Sequence, residues 1–85
     1  MSDWQVIILR PARHYLERLP HEERKRILDA FLELQKNPET APIKPLRGKL
    51  EWRLRIGDIR ALLMVNRKDK RIVVTRIGPR GDIYK

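Results

Sequence analysis

The chain has no cysteine. Disulfide stapling, thiolate metal sites and a cysteine nucleophile are therefore excluded. No apolar run approaches the roughly 20 residues of a membrane helix. The N-terminus lacks a basic–apolar–small signal pattern, and Asp3 stands where such a signal carries positive charge. These absences together predict a cytoplasmic protein with no membrane partner. With 85 residues, a single domain spanning 1–85 is expected, burying about 60% of the surface its unfolded chain exposes. That is too little to enclose a deep cavity, so any site should be an open surface. No cofactor or metal site is expected.

What the second half lacks is acid. Residues 1–42 carry seven basic and seven acidic side chains, whereas residues 43–85 carry thirteen basic and four acidic ones. The whole net charge of +9 therefore lies in the second half. A one-sided basic field attracts polyanions and speeds their capture, which points to nucleic acid or the ribosome.

Trp4 to Leu9 is rich in β-branched and large apolar residues and reads as a strand with neighbours on both sides. Pro11 fits the first turn of a helix, and Ala12, Tyr15, Leu16 and Leu19 follow at helical spacing. Pro20 ends that helix and opens a second, from His21 to Gln35. Ile27, Phe31 and Leu34 form its apolar stripe, widened by Leu28 and Leu32, and Asn37-Pro38 stops it. The pair reads as an αα-hairpin. A DNA-reading helix-turn-helix is disfavoured because this half carries no net charge. Residues 37–49 hold three prolines and a glycine and read as an ordered loop. Three strands follow: Leu50–Ile56, Ile59–Asn66 and Arg71–Gly78. The predicted fold is α+β: an N-terminal strand, a two-helix hairpin, then a three-stranded antiparallel meander with the helices on one face of the sheet.

If Gly57-Asp58 is a two-residue hairpin turn, Arg55 lies opposite Arg60 and Arg53 opposite Leu62. Alternation then puts Trp52, Leu54, Ile56, Ile59, Ala61, Leu63 and Val65 on the core face. Glu51, Arg53, Arg55, Arg60, Leu62 and Met64 take the other. Like charges directly opposite destabilise a sheet by up to ~1 kcal/mol. A sequence that keeps Arg55 and Arg60 there is expected to have an anion for them, and guanidinium binds phosphate through a planar fork. On this face Arg60 should be removable without harm to the core. Ile72, Val74 and Arg76 fall on the core face of the last strand, Arg76 at its rim. The kinked ending, Gly78 to Lys85, can fold Arg80 and Tyr84 back over the sheet. Tyr84 is then either a platform for a nucleobase or an anchor packed on the core.

The stretch LRGKLEWRLRIGDIRALLMV, a further strand and then IGPRGDIY resemble the RelE/ParE toxin superfamily. The opening strand, the helices ending in Asn-Pro and the Leu46–Gly48 approach fit it too. The resemblance implies a microbial RNase-like fold and a type II toxin–antitoxin role. In the RelE branch it implies ribosome-dependent cleavage of mRNA in the A site by attack of a ribose 2′-OH on the adjacent phosphate. By position, Arg53 and Arg55 match basic family positions, Arg60 a phosphate-stabilising arginine, Arg80 a second catalytic arginine and Tyr84 the terminal tyrosine. The implied partners are a cognate antitoxin, the ribosome and mRNA. The alternatives are a ParE-like toxin that inhibits DNA gyrase and cleaves nothing, and a basic RNA-binding module. One departure stands out: the only histidines, His14 and His21, lie in the helical half. Arginine, with a pKa above about 12, is a poor general base. Glu51 shares the arginine face, but the resemblance gives it no role.

Overall fold

A computed structural model describes residues 4–38, 43–45 and 51–79. The elements are β1 (Gln5–Ile8), α1 (Arg10–Glu17), α2 (His21–Lys36), β2 (Ile43–Pro45), β3 (Trp52–Ile56), β4 (Ile59–Asn66) and β5 (Arg71–Pro79). Pro11 sits in the first turn of α1, where a missing N–H leaves no bond unmade. After α1 the chain tightens, with the Arg18 and Leu19 amides donating to the Tyr15 and Leu16 carbonyls. Pro20 caps α2, and its carbonyl accepts the first helical bond from Arg24. Glu22 and Glu23 in the first turn of α2 and Lys36 in the last complement the helix dipole. Ile27, Phe31 and Leu34 are buried as expected. Leu28 and Leu32 are exposed, so the buried stripe is narrower than the sequence pattern implies.

The five strands form one mixed sheet in the order β1-β5-β4-β3-β2. The β3–β4–β5 meander is antiparallel, and the β3–β4 register pairs Arg55 with Arg60 and Arg53 with Leu62, as alternation required. Gly57 has φ of +60° at the first central position of the hairpin, a conformation that costs glycine nothing. Among the described residues β1 pairs only with β5, in parallel, and so lies at the sheet edge rather than between two neighbours. Its apolar run has a different cause: Val6 and Ile8 pack on the core while Ile7 stays exposed on the outer face. The proline-rich segment after α2 is more than a loop. Ile43–Pro45 adds as an antiparallel edge strand to β3, where proline is tolerated.

The helices and the inner sheet face enclose one core that includes Ala12, Leu16, Phe31, Leu54, Leu63 and Val74. β5 contains an irregularity that moves its second half to a new phase. Leu63 pairs with Val74, but Leu62 pairs with Arg76, so Thr75 is an extra residue. The Thr75 hydroxyl donates to the Leu62 carbonyl at 3.2 Å. Ile72 and Val74 face the core before the bulge and Ile77 after it. Arg76 is thereby turned to the outer face, contrary to the uninterrupted alternation that placed it with the core.

Candidate functional site

β3 carries Arg53 and Arg55 to the outer sheet face, both exposed. β4 carries Arg60, directly across from Arg55. β2 adds Lys44 across from Arg53. These four cations and Ile43 line a hollow of about 210 Å³. Among the described residues no acidic side chain lines it, and Glu51, just before β3, is not among its walls. Leu62 occupies the centre of the row Lys44–Arg53–Leu62–Arg76. It is 5% exposed yet stands outside the main core cluster, giving the basic face an apolar floor.

Arg60 differs from its neighbours. It is buried, 8% exposed, against the expectation of a free polar side chain. Its Nη1 donates to the Gly57 carbonyl at 3.0 Å and to the Ile59 carbonyl at 3.3 Å. The guanidinium thus straps the β3–β4 turn. A guanidinium has five N–H donors, and among the described residues only those on Nη1 are engaged. Held this way, the guanidinium is fixed at the wall of the hollow, and part of the repulsion from Arg55 is offset by two carbonyl dipoles.

The structure brings Arg53, Arg55 and Arg60 together. Arg80 and Tyr84 lie outside the described residues. Lys44 was missed because Ile-Lys-Pro is too short to read as a strand. Arg76 was missed because a bulge leaves no residue-type signature, although the apolar spacing Ile72, Val74, Ile77 changes from two to three and could have revealed it. His14 stands apart, on a groove beside α1. Among the described residues no group of three histidine or acidic side chains is placed to hold a metal ion.

This arrangement can hold a phosphate or another compact anion through several charge-assisted bonds, with Ile43 as the apolar part of its wall. It offers no titrating base or acid among the described residues of the hollow. No described helix is long and apolar enough to cross a membrane.

Comparison with known proteins gives the arrangement a family. A chain of the archaeal RelE–RelB complex from Pyrococcus horikoshii is 31% identical, with TM-score 0.80 over 96% of this chain and 99% of that one. A chain of a RelBE toxin–antitoxin complex from Mycobacterium tuberculosis is 25% identical, with TM-score 0.80 over 94% and 100%. The isolated Escherichia coli RelE toxin shares the fold at 17% identity, with TM-score 0.75 over 95% and 90%. No curated protein sequence matches significantly. The family model described as the ParE toxin of type II toxin–antitoxin systems matches residues 6–84, and with that span covered the chain belongs to the RelE/ParE toxin family.

Proposed function

We propose that this toxin is a ribosome-dependent endoribonuclease that cleaves mRNA in the A site. The observation that carries the reading is the hollow in which Arg55 faces Arg60, with Arg53 and Lys44 beside them and no acidic side chain among its described walls. In the proposed reaction a ribose 2′-oxygen attacks the adjacent phosphorus and the P–O5′ bond breaks. The 2′-OH proton is lost, O5′ gains one, and the products are a 2′,3′-cyclic phosphate and a 5′-hydroxyl. Negative charge grows on the phosphoryl oxygens in the transition state. Preorganised cationic donors act there, one such donor typically being worth about 3 kcal/mol. Arg60 is the most preorganised, because carbonyls already hold one of its nitrogens. Arg53 and Arg55, both exposed, take the substrate backbone. Arg80 and Tyr84 complete the site by the family resemblance, as a second phosphate ligand and a base platform. Proton transfer is assigned to none of the described residues. A translating ribosome, which orients the mRNA, supplies the positioning that an open surface lacks.

The matched chains come from a RelBE toxin–antitoxin complex and a RelE–RelB complex, which supports a cognate antitoxin here also. An acidic or amphipathic chain covering the basic face would silence it by charge complementarity. The setting is then the cytoplasm, where ribosomes and antitoxin meet.

Primer extension on mRNA in a translating extract tests the reading. New 3′ ends within A-site codons are expected. Intact mRNA together with inhibited DNA supercoiling would replace it with the gyrase-directed reading.

A further inference from the structure

β1 pairs with β5 only as far as Val74. There the Leu9 amide donates to the Val74 carbonyl, and the chain turns up into α1. The last five residues of β5 are therefore flanked on that side by a helix and not by a strand, among the described residues. A groove of about 460 Å³ lies along this seam, within the range of small-molecule sites. Leu19 and Ile77 supply apolar surface, while His14, Tyr15, Arg18 and Arg76 supply two rings and two guanidinium groups. His14, Arg18 and Arg76 are exposed, and Tyr15 is half-buried. Among the described residues no acidic side chain lines the groove, although the charge of Glu23 reaches Tyr15.

We propose that this groove is a second RNA subsite, which holds one nucleotide of a single strand running on from the arginine hollow. It rests on the RNA-binding reading above. The base lies against the Tyr15 ring and the apolar surface, and the phosphates meet Arg18 and Arg76. Two features favour RNA over a peptide. Rings beside guanidiniums match the two halves of a nucleotide, a π-face and a phosphate. Arg76 belongs both to the groove and to the cross-strand row in which Leu62 separates it from Arg53, so the two sites lie two strands apart on one sheet face. Arg76 reaches that face because Thr75 bulges, which gives the irregularity a use.

The test uses the full chain and a labelled single-stranded RNA of about ten nucleotides, inside the site sizes common for such binders. Affinity is measured by anisotropy across a salt series, and amide shifts by NMR. Arg18→Ala, at an exposed position, should flatten the slope of log affinity against log salt by about 0.7. Tyr15→Leu should weaken binding about tenfold with the slope unchanged, and Tyr15→Phe should bind like the parent. Melting curves identify any variant that fails to fold, and His14→Ala, also exposed, then stands in for Tyr15→Leu. RNA should shift amides of both α1 and β3. If Arg53→Ala flattens the slope but Arg18→Ala does not, the second subsite is wrong while the arginine hollow stands. If neither flattens it, the RNA-binding reading itself fails and the subsite with it. If polyglutamate shifts the groove amides as strongly as RNA does, the groove is a peptide or general anion site, and the proposal is overturned.

Discussion

Arg60→Ala should damage both fold and function, and the structure separates the two. The wild-type guanidinium makes one charge-assisted bond of good length to the Gly57 carbonyl and a longer one to the Ile59 carbonyl. A hydrogen bond to a charged group contributes about 1.5–3 kcal/mol. At 3.3 Å the second bond contributes at the low end or less. Relief of the Arg55–Arg60 repulsion returns up to ~1 kcal/mol. The net loss is then about 2 kcal/mol, before any cost for the vacated space of a side chain that is 8% exposed. For a domain of this size, that corresponds to a fall in Tm of about 8–16 °C. Arg55→Ala, at an exposed position, should leave Tm within a few degrees of wild type or raise it. The measurement is thermal unfolding by circular dichroism for both variants, with single-turnover mRNA cleavage below either transition. Cleavage should fall by two to three orders of magnitude, about 10²–10³, in folded Arg60→Ala. An Arg60→Ala protein that melts with the wild type would refute the strap at the turn. One that is folded and cleaves at the wild-type rate would remove Arg60 from the site.

Arg53→Ala and Arg55→Ala should each flatten the salt dependence of ribosome binding by about 0.7–0.9, the counterion release of one phosphate contact; steady slopes would make the face merely solvated. Gly57→Ala should cost about 1–2 kcal/mol in urea unfolding, because φ of +60° is costly for a residue with a Cβ. Crowding adds little, since the nearest atom to that Cβ is Arg26 Nη1 at 3.8 Å. Leu62→Ala should cost about 2–5 kcal/mol by unfolding, as for a core leucine, although Leu62 sits beneath the basic face; a smaller loss would mean that its cover gives way easily. Tyr84→Ala should lower RNA affinity by about 1–3 kcal/mol with no change in salt slope if the ring stacks on a base, and should lower Tm instead if it is an anchor.

Much of the site was legible because a two-residue hairpin leaves little freedom. Once Gly57-Asp58 is the turn, every pair from Ile56–Ile59 to Arg53–Leu62 follows by counting, and the arginines share a face. The same counting failed across β5. One extra residue at Thr75 reverses every side chain beyond it, so Arg76 and Ile77 exchanged faces. Arg60 shows a different failure. Alternation placed it on the polar face correctly, but face is not exposure, and a guanidinium folded onto carbonyls of its own turn is buried there.

Local rules therefore sufficed for whatever local rules control. Prolines and Asn37 bounded the helices, alternation paired β3 with β4, and the charge count placed the whole positive excess after residue 42. Tertiary structure decided what depends on neighbours distant in sequence. β1 became an edge strand because its parallel partner is β5, about as far along the chain as a partner can be, and no sequence period encodes the order of strands. Lys44 entered the site because a three-residue strand gains stability only from β3 beside it. Arg76 came to share the outer face with Arg53 because the extra residue at Thr75 turns the end of β5 over while Ile77 still packs into the core.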